Sequence, residues 1–258
     1  MSEIENLSAP RAVAMADDWY EIATEDHFWM QWRHREVMRA IKSSRVTIKR
    51  AIEIGCGRAV ARGMLERDLG VPVDGCDLNS AGMATAQPGL GRLLFYDIFD
   101  QEPSMLGRYD AVFLLDVLEH IEDDKSFLAA ALRHLRPGGV LIVNVPAAML
   151  FYSRYDTVAG HVRRYRSATL SKVFREAGLR PEVLRYWGIS MVPVLLVRKA
   201  CLSIMGAEET IRFGFAPPNR TANLVLRSLM KIETALPFPA PFGTSLLAWG
   251  RLDPTQNG

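Results

Sequence analysis

Three cysteines in 258 residues, Cys56, Cys76 and Cys201, are too few and too scattered for a disulfide framework or a cysteine-based zinc site. They suit a reducing compartment and read as small buried residues. An excess of charge is missing too: 31 Lys and Arg against 29 Asp and Glu leave a net +2, so bulk electrostatics call for no nucleic-acid partner. No clean run of the roughly 20 apolar residues that a membrane span needs is present. The most apolar stretch, ISMVPVLLVRKACLSIM, is broken by Pro193, Arg198 and Lys199. The N-terminus, MSEIENLSAPRAVAMADDWYEIA, carries early acids and no apolar core, unlike a secretory signal, and a cytoplasmic location is expected.

What is there is a regular alternation. The chain is 49% hydrophobic, enough to fill the core of one globular domain. Short apolar runs (AIEIG, PVDGCD, RLLFYD, YDAVFLLD, VLIVNVP) alternate with amphipathic stretches such as RAVARGMLERDLG and DDKSFLAAALRHL. Continuously apolar strands separated by helices imply a doubly wound, mostly parallel sheet with right-handed crossovers. Counting EVLRYW and SLLAWGRL, seven strands are expected. The expected divisions are an N-terminal helical cap (1–48), an α/β core (49–188), a helical insertion (189–241), and a last strand with tail (242–258).

Polar residues gather at the carboxyl ends of these strands, where ligands of open α/β sheets bind. The first strand ends in Gly55-Cys56-Gly57, the second at Asp77, the third at Asp97 and the fourth at Asp116. A helix cap would explain one isolated Asp; acids at successive strand tips argue for a site. Asp77 follows Gly55 by 22 residues, the separation at which a second-strand acid accepts the hydroxyls of a ribose. A dinucleotide loop would need a third glycine where Val60 stands. The loop therefore suits a nucleoside cofactor without a pyrophosphate.

The motifs EIGCG, CDLN, YDI, DVLEHIEDD and LRPGG, in that order between Arg50 and Pro146, resemble those of class I S-adenosylmethionine-dependent methyltransferases. The resemblance implies a Rossmann-like fold and S-adenosyl-L-methionine as cofactor. It puts Glu53 and the Gly55-Cys56-Gly57 backbone at the amino-acid end of the cofactor. It puts Asp77 and Leu78 at the ribose, Asp97 and Ile98 at the adenine, and Asp116 and Val117 at the sulfonium. The combination of HFWMQWRHREV, GHVRRY and PAPFGTSLLAWGR is similar to a bacterial subgroup acting in cell-envelope and secondary-metabolite pathways.

The acceptor side is expected after the fifth strand. His161, Arg163, Arg164 and Tyr165 place an imidazole, two guanidiniums and a phenol within five residues, a set suited to a phosphate- or carboxylate-bearing small molecule. Trp29 and Tyr20 are further candidate contacts from the N-terminal segment, with docking of the helix on the sheet as the plain alternative for its tryptophans. His161 is the first candidate for a general base and His120 the second. No metal ligands are assigned. The segment 189–205 could serve as a lid, a homodimer surface or a peripheral membrane contact.

Two other classes share parts of this pattern: a nucleotide-cofactor oxidoreductase, which would want the missing glycine, and a non-catalytic cofactor-binding module, which would lack an acceptor pocket. Nucleic-acid methylation is disfavoured, because the basic residues form no stripe and DVLEH is not the Asn/Asp-Pro-Pro-aromatic type. The expected activity is methyl transfer to an oxygen or nitrogen of a small molecule.

Overall fold

The computed structural model describes residues 3–9, 24–202, 220–235 and 240–252. An eight-stranded sheet runs through them, one strand more than the seven expected. In chain order the elements are β1 (Ile4–Asn6), α1 (Phe28–Ser44), β2 (Ala51–Ile54), α2 (Val60–Leu69), β3 (Val73–Asp77), α3 (Ser80–Ala84), β4 (Leu93–Phe95) and β5 (Tyr109–Leu115). There follow α4 (Asp124–Leu132), β6 (Leu135–Pro146), α5 (Arg154–Val158), α6 (Ser167–Glu176), β7 (Pro181–Trp187), α7 (Val192–Leu202), α8 (Arg220–Ala235) and β8 (Ser245–Arg251). The added strand is β1, which pairs in parallel with β4 at one edge, so the region expected as a helical cap also contributes to the sheet.

The spatial order is β1-β4-β3-β2-β5-β6-β8-β7. The chain winds outward from β2 through β3 to β4, then returns to lay β5 on the other side of β2. That reversal is the switch point at which doubly wound sheets open a crevice. All ladders are parallel except those of β8, which runs antiparallel between β6 and β7.

Strand alternation divides the core between the two faces. Ile52, Ile54, Val112, Leu114, Leu141 and Val143 point one way, onto Leu128 and Ala131 of α4 and Phe174 of α6. Ala51, Ala111, Phe113, Val140 and Ile142 point the other way, onto Trp32, Val37 and Ile41 of α1 and Leu65 of α2. Trp32 is fully buried, and Trp29 stacks on Trp187 at 4.6 Å between ring centroids. The tryptophans of α1 thus dock the helix on the sheet. The helix is started by His27, whose Nδ1 accepts from the Trp29 amide at 3.2 Å, and stopped at Arg45 in the left-handed region (φ 55°).

The insertion is anchored rather than loosely appended. The Glu233 carboxylate of α8 accepts from the amides of Gly188, Ile189 and Ser190 at 2.6–3.0 Å and from the Ser190 hydroxyl at 2.7 Å. Arg39 of α1 donates to the Thr234 carbonyl. These bonds tie α8 and the turn before α7 to the body of the fold. No helix of the described residues is long and apolar enough to cross a membrane.

Candidate active site

A cavity of about 280 Å³ opens over the carboxyl ends of β2 and β5. Its floor is Glu53, Gly55, Cys56, Gly57 and Asp116, its roof is the start of α1 (His27 to Met30, and Arg33), and its far wall is His120, Tyr155, His161 and Arg164. Met191, Val194, Leu195 and Arg198, at and after the turn into α7, close it from the side.

Backbone geometry explains the glycines. Gly55 sits at φ +75°, and a Cβ there would come within 2.5 Å of a methyl of Val117. Only glycine lets the tips of β2 and β5 meet so closely. Gly57 is also left-handed, and its amide donates to Asp77 Oδ2 at 2.7 Å, while Asn79 donates to Oδ1 at 2.8 Å. Asp77 therefore shapes the loop as well as ending β3. Burial raises its pKa above the ordinary carboxylate value, against the hydrogen bonds from Asn79 and Gly57.

Glu53 is almost wholly buried on the α1 side of the sheet, and its Oε2 has no hydrogen-bond partner. Burial pushes its carboxyl up to about 7 against the opposing charge of Arg33. A buried acceptor without a donor is costly unless something outside the chain supplies one. The ammonium of a bound amino-acid moiety is such a donor, so the residues present fit S-adenosylmethionine.

Asp116 is held on both sides. Arg33 Nη1 reaches Oδ2 and Asn144 Nδ2 reaches Oδ1, each at 2.6 Å, and Trp187 Nε1 donates to Asn144 at 2.9 Å. The chain turns there at φ 62°, an unusual conformation for a residue with a side chain. Arg33, Asn144 and His27 were not among the expected site residues. Arg33 lies one position past Trp32 in the quoted N-terminal motif, and its partner is 83 residues away.

Other expected donor-side residues lie outside the cavity lining. Val117 packs behind Gly55. Leu78 packs, partly buried, against the apolar cluster that holds Met83 and Phe95. Ile98 belongs to the main core, and Asp97 accepts from the Phe99 amide at 3.0 Å while its own amide donates to Ser8 Oγ at 2.9 Å. Tyr20 lies outside the described residues.

On the acceptor side the HVRRY group splits in two. His161 and Arg164 line the cavity and share one carboxylate: His161 Nδ1 lies 2.9 Å and Arg164 Nε 2.7 Å from Asp156 Oδ1. Asp156 is fully buried, and its other oxygen accepts from the Ser153 amide and hydroxyl. The geometry corrects the other half of the expectation. Arg163 turns away to Asp124 Oδ2 at 2.8 Å and the Glu122 carbonyl, and the Tyr165 hydroxyl donates to Asp124 Oδ2 at 2.8 Å, so both brace α4 rather than face the cavity. Arg198, unanticipated, lies in their place, its guanidinium 4.7 Å from the Tyr155 ring centroid. Trp29 lines the cavity while stacked on Trp187.

A glycine loop and an unpaired buried acid beneath a switch-point cavity define a Rossmann-like fold built around a nucleoside cofactor. Residues 19–183 match the family model described as a methyltransferase domain, and the chain belongs to that family, whose cofactor is S-adenosylmethionine. A Mycolicibacterium smegmatis protein named as a probable S-adenosylmethionine-dependent methyltransferase is 27% identical over 161 residues, covering 61% of this chain and 62% of its own. A ubiquinone biosynthesis O-methyltransferase of Marinobacter nauticus is 33% identical over 116 residues, covering 40% and 48%. The chain thus spans about half to two thirds of the length of the curated relatives it matches. In fold it is similar to a SAM-dependent methyltransferase from Archaeoglobus fulgidus, with TM-score 0.55 at 14% identity, covering 91% of this chain and 97% of that one. It is also similar to an N-methyltransferase from Bradyrhizobium japonicum solved with S-adenosyl-L-homocysteine, with TM-score 0.51 at 16% identity and 86% of each chain covered.

Proposed function

We propose that this protein methylates an oxygen of a small, negatively charged acceptor. The observation that carries the reading is the continuity of the cavity, which has the glycine loop and the unpaired oxygen of Glu53 at one end and Arg164 and Arg198 at the other. S-adenosylmethionine, when bound, supplies a methyl group already activated by its sulfonium. Glu53 and the backbone of Gly55 and Gly57 would hold its amino-acid end, Asp77 the ribose and Asp97 the adenine. Placement behind the methyl is then the main task left to the protein.

Arg198 and Arg164 attract the acceptor's anionic group, and the apolar side chains of Trp29, Val194 and Leu195 exclude water around its body. Deprotonation of the acceptor oxygen falls to the histidine pair, His161 held by Asp156 and His120 beside it, acting either directly or through a bound cation. The named O-methyltransferases among the relatives support oxygen over nitrogen.

A mass-spectrometric screen of phosphate- and carboxylate-bearing metabolites for the gain of one methyl group tests the reading. Arg198→Ala should raise the KM of the acceptor so found at least tenfold and leave S-adenosylhomocysteine binding unchanged by calorimetry. Methylation only of neutral or cationic acceptors would overturn it.

Exposed apolar side chains on α7 and α8, among them Val197 (65%), Leu224 (67%) and Ile232 (62%), support a peripheral membrane contact in addition. Co-sedimentation with anionic vesicles, lost in Val197→Asp, would bear that out. A stable dimer in solution that buries the same residues would replace it.

A further inference from the structure

Glu119 and His120 form the short turn after β5, and His161 comes from the loop after α5. The two segments are pinned together where the Val162 amide donates to the Glu119 carbonyl at 2.8 Å. One ligand atom from each of the three side chains lies within 4.8 Å of the other two, the one such group found among the described residues. Ligand atoms about 2.1 Å from one tetrahedral ion lie about 3.4 Å apart, so side-chain shifts on the order of 1 Å would close the set.

The surroundings prepare these atoms to act as ligands. Asp156 occupies Nδ1 of His161, which leaves Nε2 for the cavity, and a carboxylate behind a histidine is the usual support of a metal-bound imidazole. His120 is hydrogen-bonded to the Gly160 backbone and meets His161 edge to face, with 4.7 Å between ring centroids. Glu119 is 1% exposed, yet its Oε2 has no partner.

We propose that Glu119, His120 and His161 form a divalent transition-metal site on the acceptor wall of the cavity. Two imidazoles and one carboxylate suit Zn²⁺ or Fe²⁺ rather than Mg²⁺ or Ca²⁺, and three protein ligands leave coordination positions open. All three residues line the cavity, so an open position faces the space assigned to the acceptor oxygen. A cation there would favour loss of the acceptor's proton to solvent before methyl transfer, in place of a histidine base. The site itself stands on the geometry of the three side chains; its role toward the acceptor rests on the methyltransferase reading above.

The test uses the full chain without an affinity tag, stripped with EDTA and then titrated with Zn²⁺ by calorimetry, with Co²⁺ as a spectroscopic probe. One equivalent of Zn²⁺ should bind. Glu119→Gln and His161→Ala should each weaken it at least tenfold, and Co²⁺ should show ligand-field bands that disappear in the His120→Ala/His161→Ala double variant. Equal Zn²⁺ binding by wild type and double variant, or none by wild type, would overturn the site. S-adenosylhomocysteine titrated into the stripped protein keeps the two readings apart: its failure to bind would sink the methyltransferase reading and leave the metal result standing. Restoration by Zn²⁺ of methylation lost on stripping would support the role toward the acceptor, and turnover indifferent to stripping would overturn that role.

Discussion

The two ends of the cavity are built by different means. At the donor end, Glu53, Gly55, Gly57 and Asp116 line the cavity, while Asp77 lies outside the lining and accepts from the Gly57 amide; the register of three adjacent parallel strands places them all. At the acceptor end, His120, His161, Arg164 and Arg198 arrive from separate turns, loops and helices, and Asp156 gathers two of them. Residue types in a motif therefore report position well where backbone topology already aims them. In HVRRY it does not, and neighbours one residue apart serve the cavity and the scaffold respectively.

The largest expected effect is on the acceptor end. Asp156→Ala leaves the buried Arg164 guanidinium unpaired, and should cost about 3–5 kcal/mol of stability in denaturant unfolding, the usual size for a broken buried pair. A loss below about 1 kcal/mol would show that this end is not organised around Asp156.

Next comes Glu53 at the donor end. Its folded-state value is raised from 4.5 to about 7, so the stability associated with its protonated form is complete below about 4.5 and is lost as pH rises through about 7. Glu53→Gln should therefore stabilise the cofactor-free protein by roughly 3 kcal/mol at pH 8 and change little near pH 4, since each pH unit between the unfolded and folded values is worth about 1.4 kcal/mol. The same variant should bind S-adenosylmethionine more weakly, since a neutral amide replaces the partner of its ammonium. Equal stability of the two proteins across that pH range would remove Glu53 as a strained cofactor ligand.

Asp77→Ala should weaken S-adenosylhomocysteine binding by on the order of 2 kcal/mol, about 30-fold by calorimetry, through lost charge-assisted bonds and a loosened Gly57 loop. Unchanged affinity would reject the ribose assignment.

The smallest effect sharpens the contrast within HVRRY. Arg163→Ala should lower stability by less than about 1 kcal/mol, as for a partly exposed ion pair, and leave acceptor KM unchanged, whereas Arg198→Ala should raise it. A raised KM in Arg163→Ala would return that residue to the acceptor side.

The parallel sheet, the glycine loop and the donor-side acids were legible because continuous apolar runs, breakers and strand-end positions are local features with a fixed period. The eighth strand was not. Ile4–Asn6 is three residues long, with two of them exposed, and its pairing with β4 spans almost ninety residues of sequence. Asp156 did carry a local mark, since Ser153 and Asp156 stand at the spacing of a capping box. The same carboxylate's grip on His161 and Arg164 left no such mark.

By itself, then, the sequence determined the order of strands and helices, the closeness of β2 to β5 that Gly55 permits, and the row of polar residues at the strand ends. All of these follow from the backbone's own preferences and from which residues must be buried. Only the tertiary structure decided which charges are spent inside the protein. Arg33 on Asp116, Arg163 on Asp124, and the juxtaposition of Glu119 with two histidines depend on segments far apart in the chain. A side chain's partner is fixed by packing across the sheet, a long-range outcome that no local period encodes.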